Sequence, residues 1–196
     1  MTSAAIGRLA LETIRAPRSA AAQLIGLGLP RELLWTALAL VVILNALIFT
    51  LTNMVSPPPA EMPMVVMEPL PFALLLGAAL VASIFALFWV GRGLGGQARL
   101  DDLMVLLIWL QSLRVALQLA LLVLMPVVPA LASLIVLAAS ILGIWILVNF
   151  VDVAQGFDSL LKSLGVLILS TLGMAIALSL VLSLFGGAIL GIPSNV

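Results

Sequence analysis

The chain contains no cysteine, no histidine and no tyrosine among its 196 residues. These absences exclude disulfides, a thiolate nucleophile, an imidazole base and the ordinary zinc or haem ligand sets. What remains offers no credible nucleophile–base pair, so no catalytic residue, metal site or cofactor is expected. Charge is scarce as well. Only 8% of residues are charged, and eight basic residues balance eight acidic ones. Without a net charge or a basic run, nucleic acid is not an expected partner.

Apolar residues fill the space. They make up 64% of the chain, and the mean hydropathy is +1.37. A soluble domain averages about 45–50% apolar and about 25% charged residues, so a soluble fold could not cover this much Leu, Val, Ile and Ala. The expected main partner is therefore a lipid bilayer. The first thirty residues lack a short apolar core followed by a small-residue cleavage site. The first long apolar stretch, 33–51, exceeds the roughly 7–15 residues of a signal core, and it reads as an uncleaved first span.

One crossing takes about 20 predominantly apolar residues. The sequence supplies five such runs, at 33–52, 70–90, 103–125, 130–151 and 160–185. They are continuous and rich in Leu and Ala, unlike the short alternating strands of a barrel. Helices satisfy their own backbone hydrogen bonds in lipid. The expected fold is all-α: a polytopic five-transmembrane-helix bundle preceded by a short amphipathic helical segment. The segment covers 1–29, the transmembrane domain 30–186, and a short external tail 187–196.

Pro30 and Glu32 suit the start of the first span, and Asp101 or Asp102 is placed to cap the third. Pro126-Val-Val-Pro129 is expected to break the helix and fold spans three and four into an antiparallel hairpin. In the N-terminal segment Ile6, Leu9, Ala10 and Ile14 recur at helical spacing, with Arg8, Glu12 and Arg15 directed elsewhere. Pro17 interrupts this pattern, and a second weakly amphipathic piece follows at 20–27. Two short helices on the inner membrane surface are expected, with docking to a soluble partner as the alternative.

Arg8, Arg15, Arg18, Arg31, Arg92, Arg99 and Lys162, seven of the eight basic residues, fall on one side of this topology and none on the other. Inward-facing loops are enriched in Lys and Arg. The N-terminus is thus expected in the cytoplasm and the C-terminus outside.

The eighth basic residue, Arg114, falls mid-span. Its cost there runs from about 2.5–3.5 kcal/mol on insertion scales to about 10–17 kcal/mol in simulations. Gln111 and Gln118 flank it at helical spacing, and Asn45 stands at a similar depth in span one. This stripe reads as a polar seam between helices, a lipid or partner contact, or a transport path. At the inner end of span four, Asn149 and Asp152 share a face. The stretch Gln155-Gly156-Phe157-Asp158-Ser159 turns into span five, with Gly156 as the stop and Asp158 or Ser159 as the cap. Gly91-Arg-Gly-Leu-Gly-Gly96 matches a dinucleotide fingerprint by letter. It follows an apolar helix rather than a strand, so it reads as a helix stop. Met54, Met62, Met64 and Met67 lie in a Pro-rich loop, where a copper(I) site is the sharp reading and adaptable apolar packing the plain one.

The chain resembles the Yip (Ypt-interacting protein) domain family, in its bacterial branch. The resemblance rests on Leu29-Pro-Arg-Glu-Leu-Leu-Trp35, on Gly91-Arg92-Gly93-Leu94-Gly95-Gly96, and on Trp109-Leu-Gln111. It is extended by Trp145-Ile-Leu-Val-Asn-Phe150 running into Gln155-Gly156-Phe157. Bacterial relatives often place His where this chain has Gln155, so no ionisable group is implied there. Rab binding is not implied either, because the acidic-aromatic motifs of the eukaryotic branch are absent. The resemblance implies a non-enzymatic scaffolding, membrane-organising or accessory-subunit role, with another membrane protein or a second copy as partner. The alternative is a small transporter or channel subunit that uses the stripe of span three.

Overall fold

The computed structural model describes residues 3–55 and 68–189. Among these residues the chain forms α-helices only: α1 (Ser3–Arg15), α2 (Pro17–Gly26), α3 (Arg31–Val55), α4 (Pro69–Gly93), α5 (Leu100–Val127), α6 (Pro129–Gln155) and α7 (Leu160–Ile189). Helices α3 to α7 account for the five apolar runs, and each is long and apolar enough to cross a membrane. Met62, Met64 and Met67, expected in the external loop, lie outside the described residues, as does 190–196.

The five long helices run alternately up and down. α3 packs most extensively on α5, α4 on α7 and α3, and α6 on α5 and α7. The core is concentrated at the end of the bundle that carries α1 and α2. There Leu34 and Leu38, Ile84 and Leu87, Leu103 and Met104, and Phe150 and Val151 meet in one cluster. On α5 the buried residues stop at Val115, and on α6 nothing between Ala132 and Ile146 is buried. The far end is therefore loosely joined. Leu131, Leu134, Leu137, Ile141 and Ile144 face outward along α6, as apolar side chains do against lipid, where burial between helices brings little hydrophobic gain.

Three local expectations change. Pro126 does not end α5, which continues through it to Val127. In the last turn a proline removes only one ladder hydrogen bond, and the Val128 amide still donates to the Leu124 carbonyl at 2.9 Å. Only Val128 separates α5 from α6, whose first residue is Pro129. Second, neither Asp101 nor Asp102 is the N-cap of α5. That position is Arg99, and Asp102 reaches back from the third helical position to accept the Arg99 amide at 3.0 Å, half of a capping box. Asp101 instead accepts Arg31 Nε at 2.8 Å and ties α5 to the start of α3. Third, of the two candidates for the cap of α7, Ser159 rather than Asp158 stands directly before the first helical residue, Leu160, and its carbonyl accepts the Ser163 amide at 3.1 Å. Asp158 adopts a left-handed φ of 48° in the turn that follows Gly156.

α1 and α2 form a hairpin with Ala16 at the bend and Pro17 opening α2. α2 buries Pro17, Ala20, Ala21 and Leu24 against α6 and α5, small side chains that let helices approach closely. The expected apolar face of α1 is divided. Leu9 turns inward with Thr13, while Ile6 and Ile14 stay exposed alongside Leu11.

Candidate functional site

Of the polar residues buried among the described residues, Thr13, Asp152, Gln155 and Ser163 converge at the α1–α2 end. The first group surrounds Asp152, whose side chain is 2% exposed. It pairs with Arg18 of α2, and its Oδ1 accepts the Ser159 amide and the Ser163 hydroxyl, each at 2.9 Å. One carboxylate near the C-terminus of α6 thus holds the hairpin, the α6–α7 turn and the first turn of α7. Gly156, at φ 66°, ends α6 in the left-handed conformation that glycine adopts without a Cβ penalty. Its amide and that of Phe157 donate back to the Asp152 carbonyl at 2.9 and 3.2 Å.

The second group is built on Gln155, which is fully buried. Its Nε2 donates to the Leu87 carbonyl of α4 at 2.9 Å. Its Oε1 accepts the Ala98 amide at 3.3 Å, and its backbone carbonyl accepts the Gln97 amide at 2.9 Å. The side chain occupies space left by Gly91 and Gly96. A Cβ on Gly91 would stand 2.7 Å from Gln155 Oε1 and nearer still to Cδ and Nε2. A Cβ on Gly96 would overlap the same amide and lie 2.8 Å from the Gly91 carbonyl. That carbonyl accepts the Gly96 amide, also at 2.8 Å. Gly91 and Gly96 of the motif therefore make room for a glutamine, whereas Gly93 and Gly95 have no side chain against them. Arg92, within the same motif, lies over the Phe88 ring at 4.9 Å.

A third contact locks α1. Trp109 Nε1 donates to Thr13 Oγ1 at 2.9 Å, and that hydroxyl donates to the Leu9 carbonyl at 2.8 Å. Thr13→Val leaves the indole N–H without this acceptor and is expected to cost about 1–3 kcal/mol. Equilibrium unfolding in mixed micelles followed by circular dichroism reads the change, with native helix content retained. Glu12 bridges α1 to α2 by accepting Ser19 Oγ and Gln23 Nε2, each at 2.6 Å. These two donors hold its carboxyl below the usual range.

The other expected residues do not join this cluster. Asn149 is buried but donates to the Trp145 carbonyl of its own helix at 2.8 Å, and Asn45 does the same to Val41 at 2.9 Å. The stripe of α5 is split. Gln111 Oε1 and Gln118 Oε1 are buried without a hydrogen-bond partner among the described residues, whereas Arg114 is exposed. Residues seven apart stand about 20° from each other around a helix, and residues three apart about 60°, so Arg114 sits at the edge of the glutamine face. Arg114→Leu is expected to leave stability in micelles within about 0.5 kcal/mol of the parent, which differential unfolding measures; a larger loss would mean a structural seam.

Arg18, Thr13 and Ser163 complete these junctions without being singled out by the sequence. The one available signal is Thr13, a polar residue four after Leu9 on the inward face of α1.

Five apolar helices with buried polar junctions at one end define a multi-pass helical membrane protein. The model of the Yip1 domain matches residues 11–191, and the chain belongs to that family, a family of membrane proteins not known as enzymes. No curated protein and no solved structure matches the chain.

Proposed function

We propose that this protein is a non-enzymatic membrane-organising or accessory protein of a bacterial inner membrane, with its N-terminus in the cytoplasm and its C-terminus outside. The observation that carries the reading is the outer face of α1. Ile6, Leu11 and Ile14 are exposed there beside exposed Arg8 and Arg15, while Leu9, Thr13 and the Arg18–Asp152 pair fix the hairpin to the bundle. An apolar stripe bordered on one side by arginines suits the headgroup boundary of an anionic leaflet, where such a helix buries its apolar side about 5–10 Å deep. Seven basic residues at this end support the cytoplasmic orientation. A docked rather than tethered helix would hold a fixed patch of leaflet relative to the bundle, which is what a membrane-organising role requires.

The chain has no native cysteine, so a single Leu11→Cys spin label reports the depth of α1 directly. In vesicles containing anionic lipid the label is expected to be more accessible to oxygen than to a water-soluble nickel reagent. A water-exposed Leu11 label in those vesicles would overturn the reading.

A further inference from the structure

Arg114 lies fourteen residues from the start of α5 and thirteen from its end. At 1.5 Å per residue that is about 20 Å from either terminus, close to the middle of a hydrocarbon core about 30 Å thick. An extended arginine side chain spans only roughly half of the remaining distance to an interface, so snorkelling does not bring the guanidinium to lipid phosphates. Yet it is exposed on the bundle. The ion pairs among the described residues are Arg18–Asp152, Arg31–Asp101 and Arg99–Asp101, and none reaches it. A guanidinium left alone there carries a penalty of at least about 2.5–3.5 kcal/mol.

We propose that this face of α5 receives a transmembrane helix of a different membrane protein that carries an Asp or Glu at the same depth. The requirement is charge complementarity, and the sequence decides against a second copy. Every other charged residue of α3 to α7, namely Arg31, Glu32, Arg92, Asp101, Asp102, Asp152 and Lys162, stands at a helix end. In either relative orientation a second copy brings only Arg114 to that depth, and two guanidinium groups repel. The surroundings suit a helix. One turn on, and beside Arg114 rather than lined by it, Gln118 borders a cleft of about 270 Å³ between α3 and α5 with Thr52, Leu121, Leu122 and Met125. A bidentate guanidinium–carboxylate pair in hydrocarbon is strong and directional, which selects a partner by charge and depth together. This inference is independent of the membrane role of α1, and either can fail alone.

The test uses the full chain, labelled and reconstituted in zwitterionic vesicles at pH 8. The probe is a labelled leucine–alanine transmembrane peptide bearing one central Glu, Lys or Leu. Energy transfer is expected to show the Glu peptide bound about tenfold or more tighter than the Leu peptide. Arg114→Leu should erase that advantage, Arg114→Lys should keep part of it, and Arg114→Glu should transfer it to the Lys peptide. Equal binding of the Glu and Leu peptides, or an advantage that survives Arg114→Leu, would overturn the proposal. So would transfer between two labelled copies of the chain that Arg114→Leu removes, or an Arg114-dependent enrichment of fluorescent anionic lipid around the chain.

Discussion

Gly91→Ala is expected to destabilise the bundle by about 1–3 kcal/mol, the cost of forcing an extra methyl group into a packed site. At most helix positions the same change stabilises, because alanine is the better helix former by about 0.8–1 kcal/mol. The sign reverses here because the new Cβ meets Gln155 Oε1, Cδ and Nε2. A flexible side-chain end would normally step aside. Gln155 cannot, because it is fully buried and its amide is fastened to the Leu87 carbonyl and the Ala98 amide. Moving it would strand the Ala98 amide and remove the second hydrogen bond on the Leu87 carbonyl. Gly96→Ala should act the same way, with the Gly91 carbonyl as an added obstacle. The decisive measurement is a double-mutant cycle in mixed micelles. Gln155→Ala costs stability by itself, but Gly91→Ala introduced into that background should be nearly neutral, giving a coupling of at least about 1 kcal/mol. Strict additivity would show that the glycines and the glutamine do not share the space.

The second large effect is an asymmetry across the Arg18–Asp152 pair. Arg18 is 49% exposed and Asp152 2%. Removing the carboxylate frees an arginine that can turn to water, and Ser163 Oγ keeps a contact with the Ser159 carbonyl at 3.2 Å. Removing the arginine strands a buried carboxylate on two remaining donors. Arg18→Met is therefore expected to cost about 3–5 kcal/mol, the range for an orphaned partner of a buried pair. Asp152→Asn should cost about 1–3 kcal/mol. Combining Asp152→Asn with Arg18→Met should recover most of the larger loss. Chemical unfolding of the single and double variants reads all three values. Equal losses from the two single changes would mean that the pair lies in water rather than under the hairpin.

The five apolar helices were legible in the sequence because hydrocarbon imposes one requirement on every residue of a span, and 20 consecutive positions repeat the signal. The junctions between them were legible only in part. Gly156 announces a left-handed helix stop by itself, since its conformation is set locally. Gly91 and Gly96 announce only that something comes close. The thing that comes close is Gln155, on a different helix and 59 residues beyond Gly96, and no spacing rule reaches that far. Arg18 is similar: nothing near it in sequence separates it from Arg8 or Arg15, and its role exists only once α2 packs on α6. Pro126 misleads for a local reason, because a proline that breaks a helix interior is tolerated in a last turn. Within the α5 stripe the sequence sets a common side but not how that side divides between neighbouring helices and the outer surface. Spacings of three and four place residues on a common side, but the edge of that side can belong to another surface, as it does for Arg114.

The Gln155 junction also bears on the order in which the chain is made. The α4–α5 turn is complete in the nascent chain well before residue 155 leaves the ribosome, yet Gln97 and Ala98 find their hydrogen-bond acceptors only there. Until α6 is inserted, that turn has an empty pocket beneath two glycines and two amides without their final partners. The fourth span thus supplies the acceptors for the turn between the second and third, while the carboxylate of Asp152 on the same helix takes two of its donors from the start of the fifth.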